Sequence, residues 1–435
     1  AVWCGGNEFN PYSLGNALSI GILERNLHEF DPTRPFWRTS PDGGSDHIYS
    51  DFDPNTYKTF NVLPFIAESG IHTMSSARNN RTIIAAEDFK DLGKMNDESF
   101  GASHPDLIHH YAEYSPWRVP RMLSRASHIG DMSNPVYEDM VEATQVGSGE
   151  FYQVMSEGVQ SNYPITTGLL PWVFKRPWPV VAAIQLMDAF GQPTAPYYFM
   201  KRTYEKAHVM MDLPKMLYAP GDDIPFKANV LNGAGCPRLD GIVTVSVLDD
   251  RFNVLQTASE SITVEEGTSV NRTSVGDFRI PADYHSKFFF IVAKLTDPSG
   301  DEISRSVYWP RTVPQMEDAE FHANYMKDHL NWPTLTEGPW LKPTIAANKT
   351  SLSVSAPVAV DGGYRISITN KGKFMSPITI IDTDKGINFA SDNFFCLEAG
   401  ETREIIVNVK PSTPEKPTSI IVSSWNAKTQ TVKLQ

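Results

Sequence analysis

A chain of 435 residues, 41% apolar and 11% aromatic, holds about two to four domains at roughly 150 residues each. Its net charge of −13 and pI near 5.3 argue against a nucleic-acid or anionic-membrane surface and fit neutral or basic partners, sugars among them. No apolar stretch approaches the ~20 residues that span a bilayer, and Cys4, Cys236 and Cys396 are too scattered, and odd in number, for a disulfide framework or a metal-ligand pattern.

Residues 1 to about 208 alternate strand and helix signals. Ala1-Val2-Trp3-Cys4-Gly5 reads as a strand, with Asn7 and Glu8 just past it. Leu14, Leu18, Ile22 and Leu23 recur near helical spacing and predict a helix over 14–30. A strand at 33–40 follows, closed by Pro41-Asp42-Gly43-Gly44, then a short strand over Asp46-His47-Ile48-Tyr49. A short helix at 55–60 leads to Phe65-Ile66-Ala67, the strand that carries Glu68. A mostly helical excursion comes next, with helices over 116–128 and 135–162. The last predicted strand is 168–174 and the last helix 192–208, with Pro193 and Pro196 in its first turn, where proline is tolerated. Five such units in series predict a parallel sheet or part of a barrel.

From about Leu213 the texture changes. Val243, Val245 and Val247 alternate with polar residues, as do Ile366 and Ile368. Asn232-Gly233, Asp297-Pro298-Ser299-Gly300 and Asn370-Lys371-Gly372 supply turns. Such short alternating strands predict β-sandwiches. The expected plan is an α/β region over 1–212, a sandwich over 213–312, a proline-rich linker over 313–343 and a second sandwich over 344–435.

Two acids stand out. Glu8 and Glu68 each end a short apolar strand, and acids at the C-terminal ends of strands in one sheet can meet over its rim. A glycoside hydrolase needs such a pair: one carboxyl group protonates the leaving oxygen, the other attacks or activates water. Taken alone, Glu8 also fits a helix-dipole role and Glu68 a structural ion pair. Asn7, beside Glu8, can bond a sugar hydroxyl. His47 can do the same, while Asp46 fits a turn cap equally well. Trp172 and Trp178 offer indole faces for pyranose stacking, with core packing as the competing role. Gly147-Ser148-Gly149 lacks the rest of a phosphate loop, His109-His110 lacks a ligand pattern, and no Gly-x-Ser-x-Gly elbow occurs. Asn80, Asn271 and Asn348 open glycosylation-type triplets.

Trp3-Cys4-Gly5-Gly6-Asn7-Glu8 resembles the acid/base motif of glycoside hydrolase family 2, in its β-mannosidase-like branch. Asp31-Pro32-Thr33-Arg34-Pro35-Phe36, Ser40-Pro41-Asp42-Gly43-Gly44-Ser45-Asp46-His47, Ala67-Glu68-Ser69-Gly70, Trp172 to Pro179 and Asp188-Ala189-Phe190-Gly191-Gln192-Pro193 resemble later segments in the same order. Phe394-Phe395-Cys396-Leu397-Glu398-Ala399-Gly400-Glu401 resembles a C-terminal immunoglobulin-like domain. The resemblance implies the C-terminal part of a (β/α)8 TIM barrel, strands four to eight, followed by two immunoglobulin-like β-sandwiches. It further implies Glu8 as general acid/base, Asn7 on the sugar 2-hydroxyl, Glu68 as nucleophile of a retaining mechanism, and no metal or cofactor. Ser69 stands where the family has an aromatic residue, which bears on the −1 subsite. Lys175-Arg176 stands where it has Asn with Asp or Glu.

The expected function is retaining hydrolysis of β-mannosidic bonds in an oligosaccharide or glycoconjugate. An endo-β-mannosidase, an exo-β-glucosaminidase or a β-galactosidase are the alternatives within that class, and a non-catalytic carbohydrate-binding or assembly fragment is the alternative outside it. A strand opening at Ala1 with nothing upstream to pair with predicts a missing N-terminal portion, in a longer chain or as a separate subunit. The compartment stays open, with a lean towards periplasmic or extracellular.

Overall fold

The computed structural model describes residues 2–49, 56–60, 62–95, 99–113, 118–312, 340–409 and 415–434. It is a multidomain, β-rich protein with helices concentrated in the first half. Strand β1 (Trp3–Cys4) runs parallel to β2 (Phe36–Trp37), with helix α1 (Leu14–Phe30) as the crossover. Strand β3 (Ser45–His47), helix α2 (Thr56–Thr59) and strand β4 (Phe65–Ser69) form the next parallel unit. After β5 (His72–Met74) come α3 (Ala77–Asn80), α4 (Phe100–Ser103), α5 (Pro105–His109), α6 (Arg118–Ala126) and α7 (Tyr137–Ser161). Strand β6 (Gly168–Pro171) then returns parallel to β4, giving the order β3-β4-β6. Strand β7 (Ala182–Ile184) and helix α8 (Ala195–Thr203) follow.

Helix α1 matches its sequence signal, yet its apolar residues are not in a core. Leu14 is 86% exposed, Leu18 67%, Ile22 53% and Leu23 43%; of this helix only Ile20 is buried. The predicted helices at 55–60 and 116–128 appear as α2 and α6, with residues 55, 116 and 117 outside the described set. Strand β6 is not the last strand: the buried run Ala182–Ile184 pairs antiparallel with β5. The predicted helix 192–208 ends early, because Ala207–Met211 is a strand. It bonds antiparallel to Asp223–Asn232, so residues 207–211 lie in the following sheets rather than in the α/β region. Helical spacing misread that segment because four successive residues, His208 to Met211, are all buried.

Helix α7 is the beam of the first region, buried along most of its 25 residues. Gly147 explains one close approach, since a Cβ there would sit 2.9 Å from the Arg125 carbonyl oxygen of α6. Two acids of α7, Glu150 and Glu157, are buried with partners. Glu150 takes a two-pronged ion pair from Arg311 at 3.2 and 2.8 Å. Glu157 accepts from the Tyr308 hydroxyl at 2.7 Å and lies 3.0 Å from Nε2 of His208.

Val254–Val264, Leu239–Leu248, Phe290–Thr296 and Glu302–Tyr308 form one antiparallel sheet; Ser269–Arg279, Asp223–Asn232 and Ala207–Met211 form the other. Val243, Val245 and Val247 meet Ile224, Phe226 and Val230 in the core between them. A second pair of sheets over 352–433 encloses Ile366, Ile368, Ile381, Phe395 and Ile420. Of the predicted linker, residues 313–339 lie outside the described set. The remainder enters a helix, Leu341–Ala347, whose Leu341 and Ile345 are buried, and whose first N–H groups bond to the carbonyls of His128 and Ile129. Residues 340–343 are thus anchored structure.

Candidate active site

Glu8 is presented by two close backbone approaches. A Cβ on Gly5 would sit 2.5 Å from the Arg38 carbonyl oxygen, and one on Gly6 would sit 2.0 Å from the Phe9 ring. Gly5 lets the end of β1 press against the chain leaving β2, and Gly6 makes room for the Phe9 ring. Beyond the two glycines, the Glu8 N–H donates to the Ser40 carbonyl at 2.7 Å and the Ser40 N–H to the Gly6 carbonyl at 2.9 Å. Glu8 itself sits at φ +51 in the left-handed region, a turn of the chain just past the strand.

Glu68 reaches the same place by a different device. Strict alternation would put its side chain on the face of Ile66, which is fully buried among Tyr57, Phe151 and Tyr152. The register prevents that: Asp46 pairs with Ile66, but His47 pairs with Glu68, so Ala67 is an extra residue in β4. Such a bulge re-aims the side chain that follows it. Ser69 then turns the other way. It is fully buried, and its hydroxyl bonds to that of Tyr57. The residue expected to bear on the −1 subsite therefore faces the core behind the strand.

His47 joins the two acids. Its Nδ1 lies 2.6 Å from Oε1 of Glu8 and 3.4 Å from Oε2 of Glu68, and its Nε2 lies 2.7 Å from the Ser40 hydroxyl. One side-chain atom from each of Glu8, His47 and Glu68 lies within 4.8 Å of the other two. A hydrogen bond from the ring to these carboxyl oxygens puts the proton on Nδ1, and Nε2 then accepts from the Ser40 hydroxyl. The Tyr49 hydroxyl donates to Oε2 of Glu68 at 2.9 Å. Glu8 is 57% exposed at its side chain, Glu68 13% and His47 6%: an open acid faces a sheltered one. The same three side chains are those among the described residues whose spacing would suit a cation.

Asn7 bridges to Ser40 in the backbone, beside Glu8, and is exposed. Trp172 lies next to Glu68's strand, its N–H donating to the Ser69 carbonyl at 2.9 Å, with the Arg176 guanidinium 4.5 Å above its ring. Trp178 stands apart; its ring contacts are His109 and His110. Sequence reasoning missed Ser40 and Tyr49. Tyr49 had a readable signal, since it lies two residues past His47 in the predicted strand 46–49. The triplet asparagines are all engaged: Asn80 is fully buried, Asn271 donates to the Thr263 carbonyl at 2.8 Å and Asn348 to the Asp250 carbonyl at 2.9 Å.

No family model matches the chain. A curated relative, an exo-β-D-glucosaminidase of Amycolatopsis orientalis, is 24% identical over 326 residues, covering 68% of this chain and 28% of its own length. Among solved structures, the exo-chitosanase of Amycolatopsis orientalis with PNP-β-D-glucosamine superposes with a TM-score of 0.73 at 16% identity, over 99% of this chain and 51% of that one. The β-D-mannosidase of Dictyoglomus thermophilum gives 0.69 at 18%, over 98% and 48%. The resemblance to β-mannosidase-like members of glycoside hydrolase family 2 holds. The fold is theirs, and this chain spans about half the length of the solved proteins it matches.

Proposed function

We propose that this chain carries the catalytic pair of a retaining glycoside hydrolase that cleaves β-mannosidic bonds by double displacement. Residues 1–206 are read as the C-terminal part of a TIM barrel, and the two sheet pairs as immunoglobulin-like domains. The observation that carries the reading is the Glu8–Glu68 pair, with carboxylate oxygens within 4.8 Å. One oxygen of each is thus closer to the roughly 5–5.5 Å spacing of retaining enzymes than to the about 6.5–9.5 Å of inverting ones, which supports retention. In the first step a Glu68 oxygen attacks the anomeric carbon while Glu8 gives its proton to the departing oxygen. In the second, Glu8 takes a proton from water, whose oxygen displaces Glu68. Sheltering suits the nucleophile, which the Tyr49 hydroxyl and His47 hold in place. Exposure suits an acid that must exchange protons with solvent. Asn7 and Trp172 would bind the sugar, and Trp178 a further part of the substrate.

The bare apolar flank of α1, together with the edge of β1 that pairs with no strand among the described residues, fits a surface that the remaining barrel strands cover, from a longer chain or a second subunit. The test uses that longer or reconstituted protein with aryl β-mannoside and aryl β-glucosaminide side by side. Turnover of the mannoside, abolished by Glu68→Gln with sugar binding kept, is the expected result. Preference for the glucosaminide would overturn the choice of sugar, and unchanged activity in Glu68→Gln would overturn the nucleophile.

A further inference from the structure

Trp178 lies in the loop between β6 and β7, flanked by Pro177 and Pro179, and is 54% exposed. It is nevertheless held firmly. Its indole lies over the His110 imidazole, the rings 9° from parallel with centroids 5.6 Å apart, and His109 meets its edge at 88° and 6.0 Å. Nδ1 of His110 lies 2.8 Å from the Pro179 carbonyl oxygen, so that nitrogen carries the proton and the ring cannot flip without losing the bond. The Val181 N–H donates to the His110 carbonyl at 2.7 Å and the Ala112 N–H to the Ala182 carbonyl at 3.0 Å. The loop and the turn after α5 are therefore laced together around the stack.

One indole face is spent on the imidazole, and about half of the residue remains open to solvent. A rigid aromatic face already backed by a second ring has paid its ordering cost before a ligand arrives. Such a face suits the apolar C–H side of a pyranose. It also sits on the loop that leads away from the catalytic pair. The loop starts at Trp172, bonded to Ser69 beside Glu68; Arg176 lies over Trp172 and reaches Glu113 at 3.4 Å, just past His110. A run of contacts thus leads from the nucleophile's strand through Trp172, Arg176 and Glu113 to the neighbourhood of the Trp178–His110 stack.

We infer that Trp178, backed by His110, is a sugar platform separate from the catalytic pair, holding a pyranose unit beyond the scissile bond. The substrate is then an extended β-linked oligosaccharide or glycan rather than a sugar on a small aglycone. This rests on the glycosidase reading.

The experiment compares kcat/KM for a β-linked manno-oligosaccharide with that for the aryl β-mannoside, in the full enzyme and its Trp178→Ala, His110→Ala and His110→Phe variants. Loss of one stacked ring should lower the oligosaccharide-to-aryl ratio about tenfold in Trp178→Ala, through KM. His110→Ala should move the ratio the same way, and His110→Phe, which keeps a stacked ring, should restore it. An unchanged ratio in Trp178→Ala overturns the platform. If the wild type hydrolyses neither substrate, the glycosidase reading fails, and the platform is read by tryptophan fluorescence on titration with the oligosaccharide. A change seen in the wild type and lost in Trp178→Ala then supports it; no change in the wild type overturns it.

Discussion

Nδ1 of His47 lies 2.6 Å from Oε1 of Glu8, close enough that the imidazole and the carboxylate form one hydrogen-bonded unit. The same nitrogen is 3.4 Å from Oε2 of Glu68, so one imidazole reaches both acids. His47→Ala removes that link while leaving the two carboxylates on their own strands. The expected outcome is a fall in kcat of about a hundredfold, at the lower end of what positioned acid–base groups contribute, with KM changed far less. Steady-state kinetics on an aryl glycoside measures it; a kcat near that of the wild type would mean that the acids need no mediator.

Glu8→Ala separates protonation from attack. An activated aryl group leaves without help, whereas an alkyl or sugar oxygen must be protonated. The variant should keep much of its turnover on a dinitrophenyl glycoside and lose most of it on an oligosaccharide. A uniform loss across leaving groups would argue that Glu8 does not supply the proton.

Ser69 follows the nucleophile in sequence but faces away from it, bonded to the Tyr57 hydroxyl inside the core. Tyr57 keeps a second bond, to the Ile48 carbonyl at 2.9 Å, so Ser69→Ala strands no donor. The variant should lose about 1 kcal/mol of stability, the net worth of one hydrogen bond, measurable by urea unfolding, while kcat/KM stays within about twofold. A tenfold loss of activity at unchanged stability would put the hydroxyl on the substrate side.

Much of this was written in one dimension. Helix α1 was legible from Leu14, Leu18, Ile22 and Leu23 because helical spacing is a local property, although the same pattern said nothing of those side chains being bare. Glu8 and Glu68 were legible because each ends an apolar run beside glycine. The bulge at Ala67 was not, since one extra residue is visible only against the strand it pairs with. Nor was the direction of Ser69, which depends on that bulge. The predicted helix 192–208 runs into the strand Ala207–Met211 at Ala207 and His208, because the partner, Asp223–Asn232, lies beyond a turn, and burial on both faces erases the alternation that marks a strand. The stack of Trp178 on His110 joins loops far apart in sequence, and no spacing announces it.

Glu150 and Arg311 tie α7 to the residue where the first sandwich ends, and both side chains are almost fully buried. Removing the acid takes its two-pronged carboxylate partner from a buried guanidinium. Glu150→Ala should therefore cost about 3–5 kcal/mol, read as a lower denaturant midpoint. A change within about 0.5 kcal/mol, the range of an ordinary surface substitution, would mean that water reaches the guanidinium.

The three thiols should react in order of burial, and one of them ties stability to alkaline pH. Cys4 is exposed, Cys236 half-buried and Cys396 buried, with no disulfide among them. Burial pushes the Cys396 thiol up from 9.0 to about 12, against the opposing pull of Arg305. A thiol reagent at pH 8 should label Cys4 first and leave Cys396 untouched until the protein unfolds, since the thiolate is the nucleophile. The sign of the pH effect follows from the raised value. Below about pH 9 the thiol is protonated in native and unfolded chains alike, and its contribution to stability is complete. Between about 9 and 12 the unfolded chain ionises while the native one does not, so stability falls across that window. Cys396→Ser or Cys396→Ala should flatten this part of the stability-against-pH curve. A slope identical to that of the wild type would assign the alkaline loss to other groups.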